Sequence, residues 1–234
     1  KYGGGGGGGR VALHLSTSLS TSVTLAAIGG AAGGSGANAA AAGTIYTDVA
    51  SNCTLILDNT PTTTLTSVGT VTVPASGSAT ITLDMLRIVN SLVSIQSPLV
   101  VTEASVMSST VTAVEAIQAV VMDVSSSTWT MSAPITATNL TLSSVTWTGT
   151  HSVTIAHSLL LESTTFTSSD GPITSAYMSI DSASELKSTD QTTGSLTLAI
   201  QLLHLAGSIV AGTGSFDIMD STIVASGSIS VKEL

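Results

Sequence analysis

The sequence repeats with a period of about 19 residues, a length typical of solenoid coils, and this repeat restricts the fold more than any other feature. The segment 138–148 (TNLTLSSVTWT) aligns with 157–167 (HSLLLESTTFT), so that Trp147 falls on Phe166. One step earlier, Trp129 occupies the same point after a slightly shorter shift. This period is too short for a helix–turn–helix repeat. It fits one coil of a parallel β-helix, in which stacked coils bury a continuous core.

The alternation of apolar and hydroxyl side chains assigns these residues to two surfaces. Successive side chains of a strand point to opposite faces, so Leu140 and Leu142 are predicted to point inward, and Val145 and Trp147 point inward again after a Ser-Ser turn. The aromatic residues at this point are predicted to stack as an internal ladder: Trp129, Trp147 and Phe166. The threonines beside them are predicted to form an outward ladder: Thr128, Thr130, Thr146, Thr148, Thr165 and Thr167.

Other apolar pairs extend the repeat in both directions. The positions of Leu140 and Leu142 are predicted to be taken in other coils by Leu55 and Leu57, Leu99 and Val101, Met178 and Ile180, and Leu203 and Leu205. The segment 112–124 (TAVEAIQAVVMDV) also fits a short amphipathic helix, but the repeat favours a strand. The predicted fold is therefore all-β, a right-handed parallel β-helix. An antiparallel β-sandwich is the alternative, because short strands separated by turns at regular intervals are typical of that fold too.

We expect one domain over residues 1–234, with glycine-rich entry coils at 1–59 and regular coils at 60–234. The chain begins without Met and stops within a strand-like SISVKEL, so we expect it to be a segment of a longer chain. Seven consecutive glycines near the start do not match a phosphate-binding loop, because Arg10 is followed by Val11 and no helix follows. A flexible linker and a packed structural element remain the two readings of this run.

The segment 3–59 resembles a glycine-rich pattern of very large surface and secreted proteins. The resemblance rests on GGGGGGGRVALHL, on IGGAAGGSGANAAAAGTIYTD and on NCTLILDN. Such proteins are built from pectin-lyase-like parallel β-helices. The resemblance implies that the glycines pack against neighbouring backbone, and that the chain belongs to a secreted or cell-surface protein.

The composition excludes several classes of function. Only 8% of the residues are charged, the net charge is −9, and five residues are basic: Lys1, Arg10, Arg87, Lys187 and Lys232. No basic patch is available to neutralise phosphates, so nucleic acid is not an expected partner. No stretch reaches the ~20 apolar residues of a membrane-spanning helix. Cys53 is the single cysteine, so the chain forms no internal disulfide.

The residues that carry chemistry do not cluster in the sequence. Polysaccharide-cleaving enzymes need grouped carboxylates, whereas the acidic residues here are scattered and the nearest pairs, such as Asp181 and Glu185, lack a neighbouring His or Arg. The four histidines show no metal-ligand spacing. We therefore expect no enzymatic activity, no cofactor and no metal. Asn52 and Asn139 occur in Asn-x-Thr motifs and are candidate N-glycosylation acceptors in a secreted protein.

These observations favour a structural extracellular protein, a β-helical part of a surface fibre, filament, flagellar-type hair or adhesin stalk. Its expected partners are further copies or other fibre subunits, and glycans that are attached or bound. The alternative is a carbohydrate-binding or polysaccharide-degrading β-helix. A third hypothesis is an ice-binding face, because outward threonine pairs at strand spacing could order water.

Overall fold

The computed structural model describes residues 9–15, 43–49, 52–59, 70–73, 80–169, 171–189, 196–211, 216–219 and 222–231. Within these ranges all regular structure is β, and the strands stack as a parallel β-solenoid of about seven coils. The strands are β1 (Arg10–Leu15), β2 (Thr44–Val49), β3 (Asn52–Asp58), β4 (Thr70–Val73), β5 (Ile81–Val89), β6 (Leu92–Ile95), β7 (Leu99–Met107), β8 (Thr110–Ala113), β9 (Ile117–Ser125), β10 (Thr128–Met131), β11 (Ile135–Ser143), β12 (Thr146–Gly149), β13 (Val153–Glu162), β14 (Thr165–Ser168), β15 (Ile173–Ile180), β16 (Glu185–Ser188), β17 (Leu196–Leu205), β18 (Ser208–Ala211), β19 (Phe216–Met219), β20 (Thr222–Ala225) and β21 (Ser228–Val231).

Each regular coil contributes one long and one short strand. The long strands, with β1, β2, β3 and the four-residue strands β19 and β20, form a sheet of twelve, and the other short strands form a sheet of nine. Neighbouring strands run parallel throughout, except that β2 and β3 form an antiparallel pair near the start. The predicted all-β parallel β-helix is therefore confirmed, and the antiparallel sandwich is not the fold.

The long strands bend in the middle, which gives the coil three faces. In β9, Ile117, Ala119, Met122 and Val124 are buried, whereas the consecutive residues Val120 and Val121 both lie outside the core. Two adjacent outward residues reset the alternation, so the strand turns a corner without ending. We call the outer surfaces of its first half, its second half and the following short strand the first, second and third faces.

A serine corner joins each long strand to the next short strand in the regular coils. The first corner residue adopts positive φ, near 50°, at Asn90, Ser108, Ser126, Ser144 and Ser163. The second is buried, and where it is serine its hydroxyl links successive coils: the Ser91 amide donates to Ser109 Oγ at 3.2 Å, and the Ser109 amide donates to Ser127 Oγ at 3.1 Å, while Val145 takes this position after Ser144. Each hydroxyl also donates to a carbonyl within its own coil, so the buried polar groups are satisfied.

The repeat in the regular coils is slightly shorter than predicted, with 18 residues from Ser91 to its equivalent Ser109. Ile81, Leu99, Ile117, Ile135 and Val153 follow one another at this interval in one ladder. The longer shift between Leu140 and Leu159 results from one extra residue in β13, where the register slips between Ala137 and Asn139. A single insertion at the mid-strand corner leaves both flanking ladders intact.

Most of the predicted inward positions are confirmed, and one pair was placed on the wrong ladder. Met178, Ile180, Leu203 and Leu205 are buried beside the ladders of Leu140 and Leu142, as are Leu55 and Leu57. Leu99 and Val101 are also buried, but they pair with residues of the first half of β9. The ladder of Leu140 contains Ala104 instead. Both halves of β7 alternate between inward and outward residues, so the alternation alone could not show which half aligns with Leu140.

The segment 112–124 is not helical, as predicted from the repeat. It comprises the end of β8, a short turn and most of β9. Val114 is exposed in the turn while Ile117 is buried, so the apolar stripe of a helix is not formed. The glycine run at 3–8 and the second glycine-rich stretch lie outside the described residues.

Candidate functional site

The most regular surface of the molecule is a set of eight threonines on the third face, which we call the threonine array. Strands β8, β10, β12 and β14 each carry the pattern Thr-x-Thr, and their threonines pair in register across four coils. The first row is Thr110, Thr128, Thr146 and Thr165, and the second row is Thr112, Thr130, Thr148 and Thr167. All eight are exposed or half-buried.

The residue between the two threonines of each strand points into the core. Trp129, Trp147 and Phe166 are fully buried there and stack directly on one another. The ring centroids of Trp129 and Trp147 lie 5.6 Å apart with an interplanar angle of 8°, and those of Trp147 and Phe166 lie 5.5 Å apart at 7°. The structure thus contains the predicted internal aromatic ladder, and the six predicted threonines point outward.

The ladder is tight around its central ring. A Cβ on Gly149 would lie 3.1 Å from the Trp147 indole nitrogen, so a glycine at this position makes room for the indole ring. The indole N–H groups of Trp129 and Trp147 are buried without a hydrogen-bond partner in the described part of the chain. An unsatisfied buried donor costs about 1–3 kcal/mol, and the area and stacking of two indoles offset that cost.

The array has defined limits. On the C-terminal side its rows continue into Glu185 and Lys187 of β16, whose side chains pair at 2.9 Å. On the N-terminal side they continue into Leu92 and Ser94 of β6. Sequence reasoning missed Thr110 and Thr112, because the aromatic residue served as the marker and β8 carries Val111 instead. The Thr-x-Thr pattern recurring one coil before Thr128 was the signal that could have found them.

Two acidic residues near the third face, Asp181 and Glu185, are each engaged by neighbouring groups. Asp181 accepts hydrogen bonds from the amides of Ser163 and Ala183 and from the Ser184 hydroxyl. Burial alone would raise its pKa, but these hydrogen bonds hold the pKa below its ordinary value. Glu185 pairs with Lys187. Among the described residues, no group of three or more His, Cys, Asp or Glu side chains has a geometry suited to a metal ion.

A shallow groove on the second face combines charge with exposed sulfur side chains. It has a volume of about 360 Å³ and is lined in part by Met85, Arg87, Glu103, Met107 and Asp123. Met85 and Met107 are exposed, and Arg87 lies 4.0 Å from Asp58. The charges here are spread along the groove and lack a repeating spacing, in contrast to the threonine array.

The candidate glycosylation sites differ in accessibility. Asn52 is exposed at the start of β3, whereas Asn139 is half-buried and its side-chain oxygen accepts a hydrogen bond from Ser158. Cys53 is partly exposed, and its sulfur accepts a hydrogen bond from the Tyr46 hydroxyl at 3.6 Å. That hydrogen bond, with burial, raises the pKa of Tyr46.

The last described coil exposes side chains that the repeat directs inward. Ile223 pairs with Leu203 and Ile229 with Ile209. Leu203 and Ile209 are fully buried, but Ile223 is 43% and Ile229 is 42% exposed. Among the described strands, β20 pairs only with β17 and β21 only with β18.

Comparisons with known proteins identify no relative: no family model, no curated protein and no solved structure matches the chain. The described residues include no helix with the length and apolar character needed to cross a membrane.

Proposed function

We propose that the chain is a structural building block of an extracellular fibre in which copies of the β-helix stack end to end. The observation that carries this proposal is the last described coil, in which Ile223 and Ile229 lie in inward positions yet are exposed. Burying them under a coil of a second copy would continue the apolar core without changing its pattern.

The last described strands support the same arrangement. Exposed edges in monomeric proteins usually carry charges or proline that prevent pairing. The segment 222–231 (TIVASGSISV) contains neither, although Lys232 and Glu233 follow it. A strand from the next copy can therefore add to β20 and β21 through backbone hydrogen bonds. Head-to-tail contacts that repeat along the solenoid axis produce a filament and not a closed ring.

The surface composition is also consistent with a packed extracellular fibre. The chain is 8% charged, so little charge must be desolvated when coils or fibres associate. Asn52 is exposed and could carry a glycan if the protein is secreted by a eukaryote. The carbohydrate-binding alternative has less support, because Trp129, Trp147 and Phe166 are buried and cannot stack on a sugar.

The test compares two neighbouring substitutions at this end. Ile223→Lys places a charge where a further coil would pack, whereas Val224→Lys changes the next residue, which pairs with the exposed His204 and points outward. We expect sedimentation velocity and negative-stain electron microscopy to show concentration-dependent rods for the unmodified protein and for Val224→Lys, but monomers for Ile223→Lys. A monomeric unmodified protein at all concentrations, or equal loss in both variants, would refute end-to-end stacking.

A further inference from the structure

The threonine array differs from the other outward surfaces in its regularity. The outward positions of the second face change along the coils, from Glu103 and Ser105 to Val121 and Asp123. The first face has a single row in which Thr136, Thr154 and Thr174 follow Val100 and Gln118. A general preference for threonine on outward strand positions accounts for such a single, interrupted row but not for two complete rows. The same residue at eight successive outward positions of one face therefore needs its own explanation.

The aromatic ladder supports a flat array. Neighbouring strands in ordinary sheets are rotated by about 20–25°, and flat sheets occur where stacking or side-chain ladders stabilise them. The rings of Trp129, Trp147 and Phe166 are inclined to one another by only 8° and 7°. Because these rings lie directly beneath the threonines of β10, β12 and β14, we infer that the outward residues of these three strands lie close to one plane.

Strand geometry fixes the spacing of the array in two directions. Threonines of one row lie about 4.8 Å apart across the strands, and the two rows lie about 6.7 Å apart along each strand. Threonine is stiff at χ1 because it is branched at Cβ, so its methyl and hydroxyl groups hold few orientations. The array is thus a two-dimensional lattice of hydroxyl and methyl groups.

The hydroxyl groups of the array are available for solvent. In the described part of the chain, no side-chain hydrogen bond between them and another residue is present, whereas the corner residues Ser91, Ser109 and Thr164 all direct theirs to the backbone. The array also contains no ionisable side chain, and charge begins with the Glu185–Lys187 pair beyond Thr165 and Thr167. A surface without charge fits a neutral ligand with its own regular spacing.

We propose that the threonine array binds ice, by ordering water between the threonine rows into positions that match the crystal surface. Water is the ligand that a flat, neutral and periodic surface of hydroxyl and methyl groups can order. The repeating spacing of the hydroxyl and methyl groups distinguishes this surface from other hydrated protein surfaces. The inference does not depend on fibre assembly, because the array lies on the side of the solenoid.

The experiment measures thermal hysteresis and the growth of single ice crystals in the purified chain. The central residues are altered in Thr146→Tyr and Thr128→Tyr, whose rings would project from the plane and separate it from a flat surface. The matched control is Thr136→Tyr, an exposed outward threonine of the first face. Circular dichroism establishes that each variant retains the β-sheet content of the parent.

We expect thermal hysteresis and shaped ice crystals from the unmodified chain and from Thr136→Tyr, and loss of both in the two array variants. The absence of any effect of the unmodified chain on ice growth would overturn the proposal. Equal loss in Thr136→Tyr would overturn it as well, because the effect would not belong to this face. Retention of the chain by crystalline chitin or cellulose without an effect on ice would also overturn it, by assigning the array to a polysaccharide surface.

Discussion

Two groups of coils form the same corner in different ways. The first group lies between Ile81 and Ser152, and the second lies between Ile173 and Val231. In the former, a positive-φ residue precedes a buried residue that is serine at Ser91, Ser109 and Ser127, and hydroxyl groups link these coils. In the latter, two corners contain Gly207 and Gly227, where a Cβ would overlap the backbone of the preceding coil. Side-chain hydrogen bonds thus predominate at the corners of the first region, and close backbone approach occurs at the two glycine corners of the second.

The third face differs between the same two regions. Its core contains stacked aromatic rings under β10 and β12, but the aliphatic Leu186 and Ile209 under β16 and β18. Its outer surface changes at the same boundary, from threonine rows to a mixed set that includes Glu185 and Lys187. One backbone register therefore accommodates both interiors, and three of the four strands of the regular outer surface lie over the aromatic stack, while β8 lies over Val111.

The largest expected effect is the loss of the central ring of the aromatic stack. Trp147→Ala leaves a cavity between Trp129 and Phe166 and should lower the free energy of unfolding by about 3–5 kcal/mol. Trp147→Phe leaves a smaller cavity and should cost less than Trp147→Ala, because Phe166 shows that this ring fits the ladder and because the unpaired indole N–H is removed. Urea unfolding followed by circular dichroism measures both.

The matched substitution in the other region is Leu186→Ala, which also removes a fully buried residue of the third face. Its cost should be about 2–5 kcal/mol, but it should leave the near-ultraviolet signal of the stacked indoles unchanged. If Trp147→Ala and Trp147→Phe destabilise the protein equally, the stack does not contribute in the way proposed here.

The second expected effect concerns the glycine corner. Gly207→Ala would bring a Cβ into the carbonyl oxygens of Asp181 and Ser184, so the backbone must move. We expect a loss of about 1–3 kcal/mol and faster amide exchange at Ser208, whose amide donates to the Ser184 carbonyl. The corner control Ser126→Ala adds no atoms at an exposed position and should change the free energy of unfolding by less than about 0.5 kcal/mol. A neutral Gly207→Ala would show that this corner has room to relax.

The sequence predicted the fold where side chains report directly on the coil. Trp129, Trp147 and Phe166 recur in a core with little room for variation, so their spacing revealed the third face and its outward threonines. Leu99 was misplaced because the first and second halves of a long strand have the same alternation. The mid-strand corner is set by two consecutive outward residues, such as Val120 and Val121, which resemble an apolar run in the sequence.

Other features could not be predicted because they depend on contacts between coils. The hydroxyl ladder of Ser91, Ser109 and Ser127 looks like ordinary turn composition until the coils are stacked. Similarly, the exposure of Ile223 follows from the absence of a described coil above it, whereas its sequence environment resembles that of the buried Leu203.

The third expected effect breaks the hydroxyl ladder of the regular coils. Ser109→Ala removes the acceptor of the Ser91 amide and the donor to the Met107 carbonyl, and should cost about 1–2 kcal/mol. Ser109→Thr is the control, because Thr164 occupies the equivalent position and makes both kinds of hydrogen bond. Hydrogen exchange at the Ser91 amide should accelerate in Ser109→Ala only. Unchanged exchange would mean that the hydroxyl does not protect that amide.

The smallest expected effect lies at the boundary between the two regions and depends on pH. Regular corner residues such as Ser126 donate their amide to a backbone carbonyl of the next coil, but the Ser163 amide donates to the Asp181 carboxylate at 3.0 Å. Since hydrogen bonds hold the pKa of Asp181 below its ordinary value, the carboxylate stabilises the fold above the pKa of the unfolded chain. That contribution is lost as the pH falls below about 4, through the lower pKa of the folded state.

Asp181→Asn should therefore be less stable than the parent at pH 7, and the difference in stability should disappear as the pH falls below about 4. The control Asp123→Asn alters an exposed outward carboxylate of β9 and should change the free energy of unfolding at pH 7 by less than about 0.5 kcal/mol. Thermal unfolding from pH 7 to pH 2 measures the three proteins together. A stability difference for Asp181→Asn that persists unchanged at pH 2 would mean that shape, and not charge, gives the carboxylate its role at this corner.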